Sequence, residues 1–392
     1  MKQALTRLIY NKPFVYSLWF GVCILLALKG VLTHQSINNY LIFKHNFINT
    51  ISQQSLYVQQ PEFYYDRNHY GPVFSLIIAP FALLPDSIGV VLWVAFSAFI
   101  LFKAIQMLPL GPGKFLIILL LCANDLIGST LYFQFNPLIA ALIILSFNFI
   151  KRKQDFWAAL MIALGMFTKL YGIVGLAFFF FSDNKLKFIA SFIFWSAVLF
   201  VLPMAISSPS FIVRTYHDWF YDLIAKNAEN EGSLMQDICV MGMIRRLFNY
   251  PALNNLFVIA PALVLFGLSY LRIKHYRSTQ YQLLILASVL IFTVIFSSSA
   301  EAATYIIPIA GVSIWFMNLD KPTGFEIFLL IFAIVISFAG SDLFPKPLYH
   351  FYIQPYKLKA LPCLLIWLKI IYETLTRDFS EEKTLKKPES IA

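Results

Sequence analysis

The chain is 392 residues long, 59% hydrophobic and 17% aromatic, with 13% charged residues and a mean hydropathy of +0.72. No soluble domain buries that much apolar surface, so the composition excludes an ordinary globular enzyme and predicts a polytopic, all-α membrane protein. The net charge of +10 contains no basic run long enough to bind nucleic acid; it fits short Lys- and Arg-rich loops on the cytoplasmic side of a membrane.

In chain order, Lys2, Arg7 and Lys12 precede an apolar run from Phe14 to Thr33. That run is too long for a signal-peptide core and lacks a small-residue cleavage site, so it reads as a retained first helix. Cys23, Cys122, Cys239 and Cys363 stand far apart with no CxxC pair, which supports neither a zinc site nor a disulfide framework. Basic clusters at Lys151-Arg152-Lys153, Lys185/Lys187, Arg272 to Arg277 and after Arg377 are assigned to the cytoplasm, as are both termini.

Working outward from those clusters leaves residues 34–70 as a first outer loop and 207–250 as a second, larger one. Spans are expected near 136–150, 156–168, 172–182, 188–206, 251–271, 279–298, 303–318, 323–340 and 357–376. The segment 71–107 breaks at Pro85-Asp86, and parity asks for an odd number of crossings. A short interfacial or re-entrant helix over 71–84 followed by a true span over 88–107 meets that demand. The total is about 12 crossings in one integral-membrane domain over 1–376. The tail 377–392, rich in Glu, Lys and Ser, is expected to be cytoplasmic and disordered.

Polar chemistry collects on the outer side. The first outer loop holds His34, Glu62, Asp66, Arg67, His69 and Tyr70, and the second holds Arg214, His217, Asp218, Asp222, Lys226, Glu229, Glu231, Gln236, Asp237, Arg245 and Arg246. Short outer turns add "GSTLYFQFN" with Gln134 and Asn136, "TKLYG" with Lys169, and "SSSAEAAT" with Glu301. A charge at membrane depth is expensive and marks a cavity with a task, which singles out Lys169 and Glu301; the alternative for Lys169 is a side chain that snorkels to the headgroups, and for Glu301 simple solvation. Asp66 is either a loop carboxylate paired with Arg67 or a base that removes a proton from a hydroxyl, supported by His69 or a tyrosine. Gln134 and Asn136 are either amides bonded across helices or contacts to sugar and phosphate.

The stretches "LY…YYDRNHYGPVFSLIIAPFALLPDSIGVVLW" (Leu56 to Trp93), "QFNPLIAALIILSF" (Gln134 to Phe147), "ALGMFTKLYGIVGLAFFFF" (Ala163 to Phe181) and "SLMQDICVMGMIRRLF" (Ser233 to Phe248) follow one another in an order that resembles glycosyltransferase family 87, over roughly residues 14–250. The resemblance implies a GT-C type enzyme of the cell (inner) membrane that moves a mannose-like hexose from a polyprenyl-phosphate donor to a glycan or glycolipid acceptor on the outer side. It further implies an inverting, metal-independent transfer without a cofactor. A first-loop carboxylate would act as base, and cationic and amide groups would hold the departing lipid phosphate. On this chain those roles fall to Asp66, Glu62 and Glu301 as candidate bases. Asn39, Arg67, His69, Tyr70, Gln134, Asn136, Lys169, Gln236, Asp237, Arg245 and Arg246 are the candidate substrate contacts.

The chain departs from the family pattern at one place. The usual aspartate soon after the first helix would fall in "SINNY", where Asn38 and Asn39 stand, and no Asp or Glu occurs between Thr33 and Glu62. An amide cannot serve as a general base. Two outcomes stay open: Asp66, Glu62 or Glu301 has taken the role, or the protein binds a lipid-linked glycan without turnover, as a transporter, flippase or scaffold. An envelope polymerase or ligase is a third, similar in outline.

Overall fold

The computed structural model describes residues 7–33, 37–231 and 233–379, and every regular element among them is helical. Lys2, His34 and the tail beyond 379 lie outside the described residues. The first helix, α1 (Lys12–Leu32), begins where Asn11 accepts a hydrogen bond from the Phe14 amide at 3.0 Å and Pro13 occupies the first turn. Both are start signals, because a side-chain acceptor satisfies an orphan N–H and proline needs none.

There follow α2 (Asn38–Ile51), α3 (Phe74–Ala82), α4 (Asp86–Gln106), α5 (Lys114–Leu131) and α6 (Asn136–Lys151). Next come α7 (Asp155–Lys169), the 3₁₀ helix α8 (Tyr171–Phe181), α9 (Lys185–Ile206), α10 (Pro209–Asn230) and α11 (Val240–Leu247). The chain closes with α12 (Leu256–Ser269), α13 (Thr279–Ile295), α14 (Ala302–Asn318), α15 (Gly324–Ser337) and α16 (Ala360–Thr376). The outer segments expected as loops therefore contain helices: α2 takes up part of the first, and α10 with α11 most of the second.

Helices α1, α4, α5 and α9 are long and apolar enough to cross a bilayer, and α6, α8, α12, α13, α14 and α15 are shorter apolar helices. A hydrocarbon core of about 30 Å needs about 20 helical residues, so length and composition alone sustain fewer crossings than the about 12 that the patterning suggests. The nine residues of α3 reach only about 14 Å, while the 21 of α4 suffice, as the break at Pro85-Asp86 implies.

Burial orders the bundle. Nearly every residue of α6, α13 and α14 is buried, whereas α9 buries only Phe188, Ser191 and Leu199 of its first seventeen, and α12 only Ala262 and Ser269. The core is thus a few fully wrapped helices inside a ring whose outward Leu186, Ile193, Phe257 and Val264 stay apolar. A helix apolar all round suits the core or a lipid wall, and this fold has both.

Helices α7 and α8 form a tight hairpin. A Cβ on Gly172 would lie 2.3 Å from the backbone of Gly165, so the two strokes of the hairpin touch main chain to main chain and glycine is required. The reversal happens at Leu170, which puts Lys169 at the turn.

Polar groups separate to the two ends of the bundle. At one end Lys151 donates to Thr279 at 2.8 Å, Lys114 to the Met317 carbonyl at 2.6 Å, and Arg377 pairs with Asp320 at 3.1 Å. The other end carries both outer segments. There Lys44 of α2 pairs with Asp86 at 2.5 Å, and the Tyr40 hydroxyl donates to the Phe81 carbonyl at 2.9 Å, satisfying the end of α3. Helix α10 lies across this end, with Val213, Phe220, Tyr221 and Ile224 exposed on one face and Asp222 and Asn230 buried on the other.

Candidate active site

A cavity of about 550 Å³ opens at the end that carries the outer segments. Its lining comes from residues far apart in sequence: Asn39 and Phe43 from α2, Asp66, Arg67, His69 and Tyr70, Gln134, Lys169 and Tyr171, the inner face of α10, the loop around Gln236, and Ser297, Ser298, Ser299 and Glu301. That volume lies in the range of sites for small organic ligands.

One wall is built on Asp66. Asn38 accepts from the Tyr65 amide at 2.6 Å and donates to the Tyr65 carbonyl at 2.8 Å, fixing the chain immediately before the aspartate. Asp66 itself has φ of 74°, a left-handed conformation that aspartate tolerates better than most side chains, and its Oδ1 accepts from the Arg67 amide at 2.9 Å. The carboxylate is about half exposed, at the cavity mouth, with Oδ1 3.9 Å from His69 Nε2.

Helix α10 clamps this segment from above. Asp222 lies 2.7 Å from His69 Nδ1 and 3.1 Å from Arg67 Nε, and Arg67 also pairs with Glu229. Trp219 Nε1 donates to the His69 carbonyl at 3.0 Å. The clamp continues on the other side, where Ser298 donates to Asn227 at 2.5 Å and Asn230 to Ser299 at 2.9 Å.

A second part of the lining centres on Lys169. Its ammonium donates to Asn136 Oδ1 at 2.8 Å and sits 5.7 Å from the Tyr70 ring centroid and 5.3 Å from that of Tyr171. Aromatic faces and one amide leave the ammonium with donor capacity directed at the cavity. Burial pushes the nearby Glu301 carboxyl up, and Lys169 and Lys226 pull it partly back. Beneath lies an aromatic floor in which Tyr70 and Phe74 stack at 4.6 Å and Trp93 and Phe135 at 6.1 Å.

Of the sequence-nominated residues, Asp66, Glu301, Asn39, Arg67, His69, Tyr70, Gln134, Lys169 and Gln236 line the cavity. Asn136 stands one layer behind, holding Lys169, and its own Nδ2 is buried without a partner. Glu62 is exposed and away from the lining. Asp237 and Arg245 are taken up by each other: both are buried, with two guanidinium contacts at 2.8 Å and one at 3.1 Å, and Arg245 also donates to Asn255 at 2.8 Å. Arg246 follows on the same helix, half-buried and off the cavity wall.

Lys357 escapes sequence reasoning. It was expected to open the last span, but that helix begins at Ala360, and the Lys357 ammonium instead donates to the carbonyls of Ser233, Leu234 and Gln236 at 2.8, 2.7 and 2.8 Å. It thereby ties down the loop that brings Gln236 to the cavity. Burial and the charge of Arg246 push its pKa down to about 8. The early signal is a pair of lysines, Lys357 and Lys359, set among aromatic and apolar residues in "QPYKLKALP".

A membrane protein, helical throughout its described residues, with a cavity at one end lined by both acidic and cationic side chains, is the class this architecture defines. The chain belongs to glycosyltransferase family 87, whose family model matches residues 68–298, more than half of its length. The match starts later and ends later than residues 14–250 where the resemblance was placed, and Asp66 and Glu301 fall just outside its two edges. A comparison with curated proteins finds no match.

Proposed function

We propose that the chain is a glycosyltransferase that takes a sugar from a polyprenyl-phosphate donor and passes it to a hydroxyl of an envelope glycan or glycolipid at the outer face of the cell membrane. Family membership supports sugar transfer; the finer reading rests on the cavity, where the Asp66–His69 pair and the caged ammonium of Lys169 line the same space. The basic clusters gathered at the far end of the bundle favour that end as cytoplasmic, and hence the cavity end as outer.

The chemistry is a single displacement in a GT-C type frame. The acceptor oxygen forms a bond to the anomeric carbon while the bond from that carbon to the phosphate oxygen breaks. The hydroxyl proton passes to the acidic wall, and the electron pair leaves on the lipid phosphate. Attack from the face opposite the leaving group inverts the anomeric configuration. The developing phosphate charge is met by Lys169, whose cage of Tyr70, Tyr171 and Asn136 keeps it aimed before the reaction starts, which is where electrostatic stabilisation gains most. Metal ions are not required by this allocation, since cationic and amide groups neutralise the leaving phosphate. The donated sugar in this reading is a mannose-like hexose, as the sequence resemblance implies.

Purified protein in lipid nanodiscs, given polyprenyl-phosphate mannose, glucose or galactose and a membrane glycolipid extract, should release polyprenyl phosphate in step with glycosylated product. Asp66→Asn should lower that rate by about tenfold to a hundredfold without loss of folded protein. Donor binding with no release from any of the three would favour a lipid-linked-glycan carrier or scaffold instead.

A further inference from the structure

We propose that His69 Nε2 is the atom that accepts the acceptor proton, and that Asp222 is a positioning residue acting through His69. The inference rests on the glycosyl-transfer reading and assigns roles within its acidic wall.

Three observations carry it. A carboxylate only accepts, so the 2.7 Å contact between Asp222 Oδ2 and His69 Nδ1 requires the hydrogen on Nδ1 and leaves the Nε2 lone pair free. Nε2 is buried and has no hydrogen-bond partner, although His69 lines the cavity. A buried ring nitrogen left unpaired is costly unless something arrives to use it. The third is rigidity: Trp219 donates to the His69 carbonyl at 3.0 Å, and Asp222 itself is buried, with its other oxygen 3.1 Å from Arg67 Nε in an ion pair. The arrangement is that of a base oriented by a carboxylate, reached here by a histidine in the first outer segment and an aspartate on α10.

Asp66 differs from His69 in each respect. Its carboxylate is half exposed, and its Oδ1 already accepts from the Arg67 amide. It stands 3.9 Å from Nε2, close enough to stabilise an imidazolium and to pass its proton on to water at the mouth. The step balances: the acceptor O–H proton moves to Nε2, the oxygen bonds to the anomeric carbon, and the donor phosphate leaves with the electron pair of the broken bond. The imidazolium then rests between Asp222 and Asp66 until water takes its proton. The first-loop carboxylate absent at Asn38 and Asn39 is in this view replaced by an imidazole with two carboxylate neighbours.

The test uses the intact protein in nanodiscs with the three radiolabelled polyprenyl-phosphate hexoses and the glycolipid extract. His69→Gln and His69→Ala should each lower kcat by about a hundredfold or more with donor KM unchanged, and added imidazole should restore part of the kcat of His69→Ala. Asp222→Asn should lower kcat as well, and the double variant His69→Ala/Asp222→Asn should be no slower than His69→Ala alone. Losses that multiply in the double variant overturn the positioning role of Asp222. Full activity of His69→Gln, a loss expressed in donor KM, or no response to imidazole overturns the role of His69. Absence of transfer by the unsubstituted protein from all three donors defeats the glycosyl-transfer reading itself, and is thereby distinct from failure of the assignment to His69.

Discussion

The Asn38 amide holds both backbone groups of Tyr65, accepting from its N–H at 2.6 Å and donating to its C=O at 2.8 Å, one residue before Asp66. An amide can do both at once, whereas an ionised carboxylate has no hydrogen to give the carbonyl. Asn38 therefore positions the segment that carries Asp66.

An acid at position 38 should consequently do harm. Asn38→Asp sets a carboxylate against the Tyr65 carbonyl and should lower kcat by about tenfold, the equivalent of about 1.4 kcal/mol in the barrier. Steady-state transfer assays on the purified variant decide it. A rate above that of the unsubstituted chain would place the base at position 38 after all.

Lys169 should act on the donor. Lys169→Met keeps the apolar stem between Tyr70 and Tyr171 but removes the charge, and donor KM should rise by about tenfold to a hundredfold, as expected for one bond to a charged group. Acceptor KM should stay within about twofold of its original value. Equal weakening toward both substrates would mean that the lysine shapes the cavity without meeting the phosphate.

The Asp237–Arg245 pair should report in stability. Both side chains are buried and bonded to each other, so Arg245→Ala strands a carboxylate and should destabilise the fold by about 3–5 kcal/mol. Thermal unfolding in nanodiscs measures this. The double change Asp237→Asn/Arg245→Met leaves no uncompensated charge and should recover much of the loss. Unchanged unfolding with loss of donor affinity would instead favour a direct phosphate contact by Arg245.

Lys357 should make the 233–236 loop sensitive to alkaline pH. Its pKa falls from the ordinary 10.5 to about 8, so above that value the amine keeps two hydrogens for three carbonyls. Hydrogen exchange at Met235 and Gln236 should quicken as pH passes about 8, and transfer should decline with it. Global stability should move the other way. Between about pH 8 and about pH 10.5 the unfolded chain binds this proton and the native chain does not, so linkage makes stability rise with pH. A loop whose exchange shows no inflection in that window would remove Lys357 from this role.

Much of the cavity wall was readable beforehand because polar residues in an apolar chain are conspicuous. Lys169 and Glu301 stand out at helix ends, and Asp66, Arg67 and His69 crowd one short stretch. What could not be read was pairing across sequence. Nothing in "VRTYHDWFYDLIAKN" says that Asp222 reaches His69, a residue 153 positions away, rather than its neighbour His217. Asp237 and Arg245 read as free polar groups because eight positions of intervening chain hide a turn that closes them on each other. The helicity of the two outer segments was missed for a related reason. Their periodicity is mixed with polar residues that serve the cavity, and that weakens the apolar stripe on which helices are recognised.

Helix α10 carries Asp222 toward the cavity while its other face offers Val213, Phe220 and Ile224 outward. In a bilayer those side chains would lie at the boundary of headgroup and hydrocarbon, so one helix would face lipid on its outer side while its inner side holds His69 through Asp222 and Trp219.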